Sequence, residues 1–580
     1  MRPRKTLSLA LLLCLLTTLL PADASAQRGR TVSLLLVNGK VFTADERGGV
    51  AEAVAIDGSR VVAVGTTRAL RARFRARRTV DLSGRLVTPG FNDAHIHFLG
   101  GGLSLLRVEL LGAPTLAEAK RRVAERAARS RPGEWILGRG WDHTLWGGEW
   151  PDKKDLDEAA PNNPVFLQRV DGHVSWANTA ALRASGVGRE TRAPEGGEIL
   201  RDASGEPTGI LKETAAQLVA RVIPQPTEAQ NLEALERALE EARRHGITSV
   251  QDNSRYETTK LYRRLLAAGK LTVRVSEWQD FEDSVDELKR QRAEFASFKD
   301  DPMRLRLGAL KGYVDGTLGS RTAAMLAPFA DDPANSGIPR RPAEELTRMI
   351  VERDKAGFQI ALHAIGDRAN RMALDGFAAA AKANPRPAPV ASTTKLLGDH
   401  DERREPRHRV EHAQVVAPTD FARYRDLGVV ASMQPSHAIT DKRWAQDRLG
   451  EYRVLGAYAW HAMKSFGVPV AFGTDWPVEP ISPYVGLYAA VTRRSTEGDP
   501  PGGWWPQERV SIEDAIRFYT AGAAYASFEE RGKGQIKEGM LADLVVHTRD
   551  LLTVEPEEIL KTEAAITIFD GRVVYERAAR

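Results

Sequence analysis

Pro89-Gly90-Phe91-Asn92-Asp93-Ala94-His95-Ile96-His97-Phe98 places two histidines one residue apart, behind the apolar run Leu86-Val87-Thr88. In an extended strand, residues i and i+2 face the same way. His95 and His97 can therefore offer two imidazoles to one point in space. Imidazole is a ligand for zinc and other divalent transition metals. On this motif alone, two unrelated polar residues at a strand end read at least as well. The endings of the later strands decide between the two.

Between residues 88 and 530, apolar strand-like runs alternate with helical stretches, the pattern of βα units around a parallel sheet. Val165–Gln168 leads to Asp171-Gly172-His173, and Ile247–Val250 to Gln251-Asp252. Leu305–Leu310 leads to Lys311 and Asp315, Phe358–Leu362 to His363, and Arg409–Glu411 to His412. Val429–Met433 leads to Gln434, and Val470–Gly473 to Asp475. Counted with the His95/His97 strand, these runs predict the eight strands of a TIM barrel, whose sites form at the C-terminal ends of the strands. Amphipathic helices are expected over Glu228–His245, stopped by Gly246, and over Glu344–Lys355, before Gly357.

The two chain ends read differently. Val32–Val37, Lys40–Thr43, Ala53–Ile56 and Arg60–Val64 are short strands around Asn38-Gly39 and Asp57-Gly58, which are hairpin signals. Ala542–Val546, Ala565–Phe569 and Arg572–Tyr575 around Asp570-Gly571 repeat the pattern. Neither end has enough strand to bury a core alone. The expected fold class is α/β: a TIM (β/α)8 barrel over 88–530 with a composite β-sandwich domain made from residues 27–87 and 531–580. An inserted segment at about 98–160 exceeds an ordinary βα loop. It holds a helix over Leu116–Ser130 and then the Trp- and Gly-rich stretch Gly138–Trp146. That stretch reads equally as a pocket wall or as a structural Trp cluster.

Arg2, Arg4 and Lys5 precede the apolar run Leu7–Leu20 and then Ala24-x-Ala26, the pattern of a secretory signal cut before Gln27. The run is shorter than the ~20 residues of a spanning helix. The sole cysteine, Cys14, lies inside this segment, so the mature chain (27–580) would have neither disulfides nor thiolate ligands. Its metal chemistry would rest on His, Asp, Glu and Lys. The expected location is exported, periplasmic or secreted, with no membrane anchor after cleavage. The formal charge of +5 comes without a basic stripe interleaved with aromatics, so no nucleic-acid partner is expected.

His95, His97, Lys311, His363, His412 and Asp475 thus collect at strand ends, in a chain with only 12 histidines. The set suits metal-assisted hydrolysis, in which a carboxylate moves the proton. The chain resembles the amidohydrolase superfamily, specifically its YtcJ-like branch, which includes N-substituted formamide deformylases. The resemblance is carried by Pro89–His97, His173–Ala180, Gly209–Glu213, Lys311–Ala323, His363–Asp367, Arg409–Gln414, Gly473–Pro477 and the tail Gly534–Val545, and it covers essentially the whole mature chain.

The resemblance implies that His95 and His97 hold a first metal with Asp475, and that His363 and His412 hold a second. Lys311 would bridge the two after carboxylation, since a free ammonium has no acceptor atom. The alternatives are a Lys311 paired with Asp315 or Glu213 beside a single metal, or Glu213 as the bridge. One or two divalent ions are expected, with zinc the expected identity. His173 is expected near the substrate or its developing oxyanion. Trp141, Asp142 and Trp476 are expected to line the pocket. Arg321 would bind a substrate carboxylate or form a structural ion pair. Relatives often carry Asp-Glu or Asp-Gln after the first of these tryptophans, where Asp142-His143 stands here.

The expected activity is hydrolysis of a C–N bond in a small-molecule amide, N-acyl or N-formyl compound, with Asp475 as base and then acid. The alternatives are an esterase, lactonase or cyclic-ureide hydrolase on the same site, or a periplasmic binding protein without turnover. Homo-oligomerisation is left open.

Overall fold

The computed structural model describes residues 29–45, 48–169, 173–386 and 405–578. The expected signal segment with Cys14, the pair Asp171-Gly172 and most of the Pro- and Arg-rich stretch 384–408 lie outside the described residues.

An eight-stranded parallel sheet forms the barrel. Its strands are β1 (Phe91–Ile96), β2 (Ile247–Asp252), β3 (Arg274–Asp280), β4 (Leu305–Tyr313), β5 (Ile360–Ala364), β6 (Arg409–His412), β7 (Val430–Met433) and β8 (Val470–Phe472). Every residue of β1, β2, β5, β6, β7 and β8 is buried, as parallel strands covered on both faces must be. The helix Glu228–Arg244 before β2 opens with a capping box between Thr227 and Gln230 and buries Leu235 and Leu239. Fully burying each leucine contributes about 1.5–3 kcal/mol as an upper bound.

The sequence reading is corrected at one strand. Val165–Arg169 is not in the barrel; it pairs with Ile136–Trp141 and Val174–Ala177 in a separate sheet. The barrel position goes instead to β3, which sequence patterning passed over. Its Arg274 is answered by tertiary partners: it bonds Asp543 at 2.5 and 3.0 Å and Asp570 at 3.0 Å. Removing one partner of such a buried pair costs about 3–5 kcal/mol, so this contact fastens the barrel to the C-terminal strands.

The seam between β8 and β1 is closed just past the strand ends. Asp475 N–H donates to His95 O at 2.7 Å, and His97 N–H to Trp476 O at 2.9 Å. Gly473 permits this approach, because a Cβ there would lie 2.5 Å from His95 N.

The inserted segment is longer than the sequence suggested. A six-stranded sheet runs in the order Gly197–Arg201, Pro207–Glu213, Val174–Ala177, Val165–Arg169, Ile136–Trp141, Val108–Glu109. It has its own core around Trp141, Trp176, Leu156 and Leu167.

The chain ends build two further sheets. One orders Arg60–Gly65, Ala53–Asp57, Arg30–Val37 and Phe74–Asp81. In the other, Leu86–Pro89 from the N-terminal part pairs antiparallel with Leu544–His547 from the C-terminal part. One core mixes Leu36, Val54 and Leu82 with Leu544, Val546 and Ile568. The expected barrel with a composite β domain from both ends is the fold.

Candidate metal centre

His95 and His97 stand at the end of β1, His412 ends β6, and Asp475 follows β8. His97 Nε2 lies 3.2 Å and His95 Nε2 3.5 Å from Asp475 Oδ1. Asp475 and His412 both adopt left-handed backbone, φ 58° and 74°. That conformation costs roughly 1–3 kcal/mol for a non-glycine residue and persists where surrounding structure enforces it.

The imidazoles are oriented from behind. His97 Nδ1–H donates to the Asn253 carbonyl at 3.0 Å, and His412 Nδ1–H to Gln434 Oε1 at 2.8 Å. His95 Nδ1–H donates to Glu411 Oε2 at 2.5 Å, and Arg409 Nε bonds the other Glu411 oxygen at 2.6 Å. Each of these contacts fixes a tautomer and leaves Nε2 as a lone-pair donor facing inward. His363 is set the other way: Nε2–H donates to Gly316 O at 3.0 Å, leaving Nδ1 as its lone pair.

The electrostatics agree. Burial, helped by the Lys311 charge, lowers His95 to about 4 and His363 to about 3. Burial and the neighbouring His363 hold His412 well below its ordinary range. Neutral imidazoles are what a cation needs. Burial opposes the Asp475 charge, yet the imidazoles around it, His95 first, hold its carboxyl well below the carboxylate range. Burial also opposes charge on Glu411, but Arg409 and His95 bring it to about 2.

These residues fit a divalent cation. Asp475 Oδ1 is buried without a hydrogen-bond partner among the described residues. Two sets of ligand atoms lie within 4.8 Å of one another: His95, His97 and Asp475, and His412, His437 and Asp475. A cavity of about 300 Å³ opens over them, lined also by Lys311, Tyr313, His363, Trp444 and Glu479.

Lys311 is buried in this cavity, with Nζ 4.8 Å from the Tyr313 ring centre. Burial lowers its pKa to about 8 although Glu411 and Asp475 raise it. Its expected alternative partners are occupied elsewhere. Asp315 accepts three backbone N–H bonds, from Ala324, Ile365 and Gly366. Glu213 lies in the inserted sheet, 3.1 Å from His173.

Other expected site residues are not brought to the cavity. The His173 side chain is 66% exposed beside Glu213, in the inserted sheet rather than at a barrel-strand end. Trp141 is fully buried in the inserted core, and its Nε1–H donates to Leu167 O at 2.9 Å. Asp142 Oδ1 accepts from Arg169 at 2.7 Å and from Thr144 Oγ1 at 2.8 Å. Trp476 is buried against Phe98, ring centres 6.2 Å apart. Arg321 is paired with Asp331 at 2.8 Å, the structural alternative.

Sequence reasoning missed His437, Tyr313 and Trp444. His437 sits in the first turn of the helix Pro435–Arg453, three residues beyond Gln434. Pro435 at the helix start was the available signal, since it places a first-turn side chain near the barrel mouth.

The family model described as "Amidohydrolase family" matches residues 78–575. The chain is 35% identical over 537 residues to Protein LONG AFTER FAR-RED 3 of Arabidopsis thaliana, covering 89% of this chain and 87% of that one. It is 31% identical to the putative amidohydrolase YtcJ of Bacillus subtilis (strain 168), covering 93% and 99%. It is 29% identical to N-substituted formamide deformylase of Arthrobacter pascens, covering 94% and 98%. The crystal structure of an uncharacterized metal-dependent hydrolase from Pyrococcus horikoshii superimposes with TM-score 0.70 at 28% identity, covering 90% and 99%.

Proposed function

The chain belongs to the amidohydrolase family, and from that premise we propose that it is an exported hydrolase using a divalent metal, zinc by expectation, to cut the C–N bond of a small N-acyl or N-formyl amide. The observation that carries this reading is Asp475, whose carboxylate Oδ1 is buried beside His95 and His97 without a hydrogen bond among the described residues. Similarity to a formamide deformylase supports the amide bond. The cavity of about 300 Å³ supports a small substrate. Export rests on the leader pattern of residues 1–26.

His95, His97 and Asp475 Oδ1 would hold the ion. When bound, a divalent ion supplies Lewis acidity, polarising a carbonyl and bringing the pKa of water to about 7. Asp475 Oδ2 takes the proton of the attacking water and returns it to the departing nitrogen. Tyr313 Oη accepts from Asn253 Nδ2 at 3.3 Å, which leaves its own O–H to donate to the carbonyl oxygen, the role sequence reading gave to His173. Leu318, Ile365 and Trp444 wall the cavity around the rest of the substrate.

The test is a panel of N-formyl and N-acyl amines beside esters, lactones and cyclic ureides. The expected result is the highest kcat/KM on the amides, abolished by a chelator and restored by zinc. Turnover by chelated protein, or preference for esters, would contradict the reading.

A further inference from the structure

His437 has no role in the reaction above, yet it is built into the same pocket. The segment from Gln434 to His437 does two things. Gln434 Oε1 accepts a hydrogen bond from His412 Nδ1–H and so aims the His412 Nε2 lone pair inward. One helical turn on, His437 lies parallel to His412, ring centres 5.7 Å apart and planes 11° apart. His437 Nε2 is buried without a hydrogen-bond partner among the described residues and lies 3.6 Å from Asp475 Oδ2. A buried ring nitrogen left without a partner is costly and calls for an explanation. The Asp475 carboxylate thus stands between two imidazole sets, with Oδ1 toward His95 and His97 and Oδ2 toward His437. Each set keeps its ligand atoms within 4.8 Å of one another.

We propose that His412, His437 and Asp475 Oδ2 form a second divalent-cation site that needs no carboxylated Lys311. The proposal rests on the metal-hydrolase reading of the first site. It also limits it: an ion on Oδ2 occupies the oxygen that the reaction uses for its proton. A second equivalent therefore lowers the turnover that the first supports.

The experiment is zinc titration of the whole metal-free protein, with bound metal counted by elemental analysis. Wild type, His437→Gln, Lys311→Met and His97→Ala are compared, each checked for fold by circular dichroism. The expected uptake is two equivalents in wild type, the second the weaker, two in Lys311→Met and one in His437→Gln. Should His437→Gln fail to fold, His437→Asn replaces it, and two resolved steps in wild type still carry the count. Full uptake by the His437 variant with loss of one equivalent in Lys311→Met would overturn the proposal in favour of a carbamate bridge. Loss in both variants would overturn the independence from Lys311, leaving His437 and Lys311 as ligands of one site. A single equivalent in wild type, lost in His97→Ala, would overturn the second site and leave the first standing. No uptake in wild type would instead remove the metal-hydrolase reading itself. A rate that rises with the second equivalent would overturn the inhibitory assignment.

Discussion

At the barrel mouth, Asp475 Oδ1 is buried with no hydrogen bond and Trp444 Nε1 is buried with no acceptor among the described residues. In the inserted sheet the same residue types are answered. Asp142 takes bonds from Arg169 and Thr144, and Trp141 Nε1–H reaches Leu167 O. Both regions are rich in Trp, Asp and His, so residue type alone ranks them equally. The difference lies in satisfaction. Buried polar groups are normally paired, and those that converge unpaired on one cavity mark where a ligand is expected. The inserted sheet uses its aromatics as its own core, with Trp141 and Trp176 ring centres 5.8 Å apart.

This contrast can be broken by substitution. Asp475→Asn is expected to lower kcat by about 10²–10⁴, the range for a lost general base, with thermal stability little changed. Full turnover by that variant would end the distinction between the regions. Trp141→Ala should have the opposite signature. Unfolding in denaturant is expected to show about 3–5 kcal/mol of destabilisation, while metal content stays at the wild-type value. Metal loss with unchanged stability would move Trp141 into the site. Glu411→Gln tests the support behind His95. The expected effect is a metal affinity weaker by about 10–100-fold, read by competition with a chelating dye; unchanged affinity would leave Glu411 a purely structural acid. Arg321→Ala, which removes the pair to Asp331, is expected to change stability by no more than about 1 kcal/mol and to leave KM unmoved. A large rise in KM would restore Arg321 as a substrate contact.

The sequence was most legible where the barrel imposes strong patterning. The strands ending near His363 and Asp475 are apolar runs, and those ending near His95 and His412, though interrupted by Asn92, Asp93, Arg409 and Glu411, still close on a candidate metal-ligating histidine. β3 was illegible because Arg274, Glu277 and Gln279 interrupt the run, and the partners of Arg274, Asp543 and Asp570, lie far away in the chain. Gln279 bonds Gln291 at 2.7 Å. Burial, with the charge of Asp252 opposite it, pushes Glu277 well above the carboxylate range. Val165–Arg169 misled for the converse reason. Its apolar residues resemble a barrel strand, but one face is only partly buried, as befits a sheet that packs on one side. His173, read as a substrate contact at the end of that run, lies with it in the inserted sheet. His437 was hidden because it sits on a helix, where no strand-end rule applies.

The decisive question is whether the barrel mouth, rather than the inserted sheet, binds a metal ion. The most direct test is crystallography of zinc-loaded protein with data collected at the zinc absorption edge. The expected result is an anomalous peak within ligand distance of His95, His97 and Asp475. No peak there, or a peak beside His173 and Glu213 in its place, would contradict it.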